Sequence, residues 1–217
     1  MAITITQDGD KEWLVKFGPA VLSYPHIYAP FRSKIPGQVG RFGAKLLLDR
    51  NDADAKADAK ALNAKIMEMC KTHFKTSIPS DKLCLRDGKQ LTEDMHKYFV
   101  VSASESTKPI VVDRKRNPVN EEDGADLFYP GAKVIAVIRL WAQDSKDWGK
   151  RINANLVSLQ FHSHGTRLGG RARPDVGAIY DDISGQFDDD EYSGGPAGNS
   201  LEHEAATDDG FGDQDGL

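Results

Sequence analysis

The 217-residue chain carries 28 Lys and Arg against 33 Asp and Glu, a formal charge of −5, and its length suits one domain with an appendage. The modest total hides a split. Residues 1–174 hold every Lys and Arg with 20 of the acids, whereas 175–217 hold the other 13 acids and no Lys or Arg. Such an asymmetry points to a polyanion-binding body and an acidic interaction tail. No apolar run approaches the roughly 20 residues that span a bilayer. Cys70 and Cys84 are the only cysteines, too few for a disulfide framework. The opening MAITITQDGDKEW lacks the basic-then-apolar layout of a signal peptide, so a reducing cytoplasm is expected.

Residues 11–28 (KEWLVKFGPAVLSYPHIY) mix short apolar runs with Pro19 and Pro25 and read as an extended lead-in. After a Gly/Pro-rich stretch, 41–48 (RFGAKLLL) alternates as a strand does, with Phe42, Ala44, Leu46 and Leu48 on one face and Arg41 and Lys45 on the other. Asp52 is placed to cap a helix running to about residue 75, in which Leu62, Ile66, Met69, Cys70 and Phe74 recur at helical spacing. That stripe is core packing. Residues 96–103 and 110–113 read as strands from their β-branched and aromatic content, and 114–131 as a polar connection. The strongest strand is 133–143 (KVIAVIRLWAQ), with 152–162 (INANLVSLQFH) as its hairpin partner. Several strands with one inserted helix predict a mainly β fold, an OB-fold-like five-stranded barrel, over residues 1–174. From Asp175 onward apolar residues occur singly, and such a segment cannot offset its chain entropy. It is expected to be disordered.

Parity along 133–143 puts Val134, Ala136, Ile138, Leu140 and Ala142 inward and Lys133, Arg139, Trp141 and Gln143 outward. A cation and an indole on one strand face suit a ligand with phosphates and bases, which is what single-strand binders hold. By the same parity Tyr98 points outward as a second stacking ring, and Arg41 and Lys45 line the first strand of the body. Further cations gather in loops: Lys150 and Arg151 beside Trp148, and Arg167 and Arg171 in HGTRLGGRARP. These cations would equally suit duplex DNA or RNA. Competing chemistry is weak. His162 and His164 lack Cys or acidic partners at ligand spacing. Asp113, Glu121, Glu122, Asp123 and Asp126 lie in a turn-rich loop with no strand to fix a nuclease metal site. No GxxxxGK[ST] loop is present. The reading is therefore non-enzymatic, with no metal, cofactor or membrane partner. A tethered polyanion competes with DNA for a cationic groove, and Asp208, Asp209, Phe211, Asp213, Asp215 and Leu217 form an acidic-hydrophobic tip fit to hold a protein partner.

The segments GRFGAKLLLDRNDAD (40–54), Tyr129-Pro130-Gly131 and GKRINANLVSLQFHSHGTRLGG (149–170), followed by an acidic tail, resemble the single-stranded DNA-binding proteins of tailed bacteriophages. The resemblance implies an OB-fold and sequence-independent binding of single strands. It also implies work in phage replication, recombination and repair in the host cytoplasm, and a tail that recruits a DNA polymerase or primase-helicase. The chain departs from that pattern at its end, where Leu217 stands in place of an aromatic residue and Phe211 lies six positions inside. The first 35 residues carry no part of the resemblance.

Overall fold

The computed structural model describes residues 2–32 and 39–169. The single long helix α1 (Ala53–Phe74) starts at Asp52, whose carboxylate accepts the Ala55 N–H at 2.9 Å, and stops at Lys75 in the left-handed conformation. The stripe expected to be core is buried throughout: Leu62, Ile66, Met69, Cys70 and Phe74. It packs against the inner face of one sheet.

That sheet has eight strands: β1 (Thr4–Gln7), β2 (Glu12–Phe31), β3 (Arg41–Asp49), β4 (Leu85–Asp87), β5 (Tyr98–Glu105), β6 (Ile110–Val112), β7 (Lys133–Ser145) and β8 (Gly149–Ser163). Their order is β4-β5-β3-β2-β7-β8-β6, with β1 antiparallel on β2. All pairs are antiparallel except β6 with β8. The sheet curls until its ends approach, so that Leu83, just before β4, bridges Ile152 of β8, and the Cys84 N–H donates to the Ile152 carbonyl at 2.9 Å. The mainly β architecture with one long inserted helix is thus the expected one, and the strand count exceeds five.

The largest departure from expectation is β2. The lead-in is the central strand, 20 residues long, pairing with β1, β3 and β7. Prolines lack the N–H that a ladder needs and are confined to edges and bulges. Here all three sit at irregularities: the β2–β7 register shifts between Phe17 and Ala20, around Pro19, and the β2–β3 register shifts between Ser23 and His26, around Pro25, and between His26 and Phe31, around Pro30. Either side of those irregularities the strand alternates and buries Val15, Phe17, Ala20 and Leu22.

The inner row predicted on β7 is the core row, with Val134, Ala136, Ile138 and Leu140 fully buried against Leu156, Leu159 and Phe161 of β8. The core also holds one carboxylate. Asp58 of α1, 3% exposed, accepts the N–H groups of Ile3 and Gly18, both at 3.1 Å, and so ties the first residues and the β2 bulge to the helix. Burial pushes its pKa up, and those two hydrogen bonds act in the opposite direction. The connection 114–131 contains a short helix, α2 (Glu121–Gly124), capped by Asn120.

Tyr98 requires a correction. It lies on the face opposite Val101, as parity required, but that face is covered there. A second apolar cluster of Leu47, Met95, Tyr98 and Val100 leaves the ring 5% exposed, closed off by the short turns that carry Gly88 to Met95. Tyr98 supports the sheet and offers no open ring face.

Candidate nucleic-acid interface

A cleft of about 470 Å³ lies where β8 crosses β5 and the Leu83–Cys84 segment. Its walls bring together five of the sequence-predicted or neighbouring groups: Arg41, Lys45, Trp141, Gln143 and Arg151. Strand register explains the grouping, because Trp141 pairs with Asn153 and Gln143 with Arg151 across β7–β8, while Lys45 faces Ser102 across β3–β5. The half-buried indole of Trp141 donates through Nε1 to Asn155 Oδ1 at 2.8 Å, and Asn153 Nδ2 donates to Gln143 Oε1 at 2.8 Å. The floor is therefore a ring held by amides, with cations at its rim.

Arg41, Lys45 and Arg151 make no ion pair among the described residues. Arg41 donates to the Ser104 side chain and carbonyl. Arg151 donates to the Trp148 carbonyl at 3.1 Å, with its guanidinium 5.8 Å from that ring. Lys45 Nζ stands 4.7 Å above the ring of Tyr24. Charges held by neutral partners keep their field for an anionic ligand.

Lys45, Arg41 and Ser104 also border a second cleft of about 220 Å³, whose other wall is Tyr24, His26 and Phe31 of β2. The two clefts share Arg41, Ala44, Lys45, Ala103 and Ser104 in their walls. Tyr24 and Phe31 are 56% and 54% exposed, and His26 packs edge-on to Phe31 at 5.3 Å. Tyr24 has φ +47°, a left-handed conformation that a bulky side chain rarely takes and that clusters at functional sites. It turns the ring out at the Ser23–His26 bulge. The sequence reading missed this aromatic wall, although YPHIYAPF places four aromatic or imidazole rings in eight positions.

The remaining predicted residues are dispersed. Arg139 shares the outward face with Trp141 but is engaged by Asp8 Oδ2 at 2.7 Å and Glu12 Oε2 at 3.5 Å, which raise its pKa and neutralise its field. Its cation is compensated. Lys133 is exposed at the far end of β7, and Lys150 is exposed at the β7–β8 turn, 5.8 Å from the Phe74 ring. Arg167 stacks on Tyr129 at 4.0 Å, where the Tyr129 hydroxyl donates to the Gly165 carbonyl and shares a hydrogen bond with His164 Nδ1. Arg171 and the tail residues Asp208, Asp209, Phe211, Asp213, Asp215 and Leu217 lie outside the described residues. His162 bonds its neighbour Ser163. No three His, Cys, Asp or Glu side chains converge in ligand geometry among the described residues, nor is any described helix long and apolar enough to cross a membrane.

A curled, mainly β body with a cleft lined by cations and rings is an architecture that single-strand-binding folds use. Residues 14–190 match the family described as "Enterobacter phage Enc34, ssDNA-binding protein", and the chain belongs to that family. The match begins at the start of β2, inside the stretch that carried no resemblance. The structure is similar to that of the single-stranded DNA-binding protein from bacteriophage Enc34 in complex with ssDNA, with 26% identity and a TM-score of 0.64 over 77% of this chain and 98% of that one. A second structure of the Enc34 protein gives 26% identity and a TM-score of 0.63 over 83% and 100%. Among curated proteins, "Putative protein p50" of Acyrthosiphon pisum secondary endosymbiont phage 1 is 25% identical over 179 residues, covering 78% of this chain and 94% of that protein.

Proposed function

We propose that this chain binds single-stranded DNA without sequence preference and coats it during phage DNA replication, recombination and repair in the infected cell. The strand would run along the paired clefts, its phosphates beside Arg41, Lys45 and Arg151 and its bases on Trp141, Tyr24 and Phe31. The observation that carries this reading is that the two clefts share Arg41 and Lys45, which make no ion pair among the described residues, with the half-buried Trp141 on one side and the exposed Tyr24 and Phe31 on the other. Family membership and the ssDNA complex of the Enc34 protein support it. The amides Gln143, Asn153 and Asn155 largely bond one another or Trp141, which favours stacking over base readout.

The acidic residues 175–217 would occupy the groove when DNA is absent and turn to replication proteins, such as a polymerase or primase-helicase, when it is present. Their 13 carboxylates against the body's excess of cations support that role. The test is titration of intrinsic Trp fluorescence with oligo-dT across a salt series. Quenching whose affinity falls steeply with salt is the expected result. Equal or tighter binding to a duplex would instead assign the groove to double strands, and no binding to either would remove the reading.

A further inference from the structure

A recess of about 440 Å³ shares only Leu83 with the groove. One wall is the outer face of α1, where Lys56, Lys60, Asn63 and Met67 follow at helical spacing; the other is β4 with its flanking turns. The floor is apolar: Ala59, Leu83 and Leu85 are buried beneath a half-buried Phe99 and a partly exposed Met67. Three cations border it, Lys56, Lys60 and Arg86, and none makes an ion pair among the described residues. The recess contains one carboxylate, Asp87, already paired with Arg50, whose guanidinium also covers the Phe99 ring at 4.0 Å. Arg86 Nε is buried with no hydrogen-bond partner among the described residues. An unmatched buried donor is costly to leave unsatisfied.

Apolar floor and cationic rim together call for an acidic peptide that carries a large apolar side chain. The chain contains one at 207–217, TDDGFGDQDGL, with four Asp around Phe211 and Leu217. We propose that this recess receives residues 207–217 of a second copy, Phe211 entering the floor and Asp208, Asp209 and Asp213 meeting Lys56, Lys60 and Arg86. The idea rests on the proposed single-strand coating, which holds neighbouring copies at high local concentration. About 38 positions separate Gly169 from Thr207, and any segment of that length can reach at most about 3.3–3.6 Å per residue. Strand occupancy would then free each tail from its groove and pass its tip to the next copy, linking DNA binding to cooperative coating.

Two measurements on the full-length protein test this. In the first, F211A protein labelled at its methionine methyls is titrated with a 207–217 peptide. The Met67 resonance is expected to shift, and K56E/K60E in the same background to abolish the shift; an unmoved Met67 signal overturns the proposal whatever the DNA results. In the second, binding to a long oligo-dT is compared with binding to a strand that holds one copy. K56E/K60E and F211A are each expected to lower long-strand cooperativity roughly tenfold, the equivalent of a few weak charge contacts, with short-strand affinity unchanged within about twofold. Adding D208K/D209K to K56E/K60E should restore it. Unchanged cooperativity in both variants, or a charge swap that restores nothing, overturns the proposal. Loss of short-strand binding by the unaltered protein would instead sink the single-strand reading while leaving the peptide result to stand alone.

Discussion

Trp141 Nε1 donates to Asn155 Oδ1 at 2.8 Å across the β7–β8 ladder, and this bond sets the plane of the indole in the groove. A ring fixed in advance loses little entropy when a base stacks on it. Trp141→Ala is therefore expected to weaken oligo-dT binding by the roughly 1–3 kcal/mol that one stacked base supplies, with the urea midpoint little changed because the ring is only half-buried. Asn155→Ala keeps the ring and removes its tether, so it should lose a smaller part of that energy. Fluorescence anisotropy on both variants checks the order, and equal losses would show that the tether carries no separate weight.

Tyr24 and Lys45 make the second contact point. Tyr24→Phe preserves the ring face and is expected to bind as the unaltered chain does, whereas Tyr24→Ala loses about one stacked base. Lys45→Gln should weaken binding and reduce the salt slope by about 0.7, the value for one phosphate contact on a single strand. A salt titration of the three variants separates ring from charge. If Tyr24→Ala binds normally, the aromatic wall of β2 is not part of the strand's path.

Arg139 offers a contrast with Lys45 and Arg151, which make no ion pair among the described residues. Asp8 and Glu12 already hold its guanidinium, so little of its charge reaches the groove. Arg139→Gln is expected to lower oligo-dT affinity less than Arg151→Gln does, and to lower stability by at most about 1 kcal/mol, as partly exposed ion pairs do. A larger affinity loss for Arg139 than for Arg151 would mean that DNA displaces the acidic partners.

Much of this was legible in the sequence, and the failures have physical causes. Helix α1, the β7–β8 hairpin and the inward row of β7 follow from period alone, because one face of each meets the core and the other does not. Trp141 on β7 and Arg41 and Lys45 on β3 were found by parity, and Arg151 as one of the cations expected in a loop beside Trp148. Tyr98 obeyed parity and failed on burial, since periodicity reports which face a residue occupies and not what a distant turn lays over it. Tyr24 and Phe31 were missed because Pro19 and Pro25 disguised a central strand. Those prolines sit at bulges that only the pairing with β3 and β7 reveals. Arg139 was found on the correct face, but its partners come from 131 and 127 positions earlier in the chain, beyond the reach of local pattern.

Asp58 links the core to pH. Its folded pKa is raised above the ordinary carboxylate value, so between those two values the folded chain binds more protons than the unfolded one. Stability then falls as pH rises through that window and levels off above the folded pKa. Asp58→Asn removes this slope. It also leaves one of the Ile3 and Gly18 N–H groups facing an amide donor, for a loss of about 1–3 kcal/mol. Urea unfolding of both proteins from pH 4 to 7 should show the unaltered chain gaining on the variant as pH falls. Parallel pH curves would mean that Asp58 titrates alike in both states.

The charge split within the chain leads to the last prediction. Deleting residues 175–217 removes 13 carboxylates and no cation, so the remaining body presents its full positive field to a strand. If those carboxylates compete for the groove, the shortened chain should bind oligo-dT more tightly at low salt. The gain should shrink as salt rises, because screening weakens the intramolecular competitor as well as the strand. The salt slope of the shortened chain is accordingly expected to be the steeper of the two, since every phosphate contact is then made against solvent alone. Parallel slopes with identical low-salt affinities would show that the acidic residues never enter the groove, leaving them a role only toward proteins.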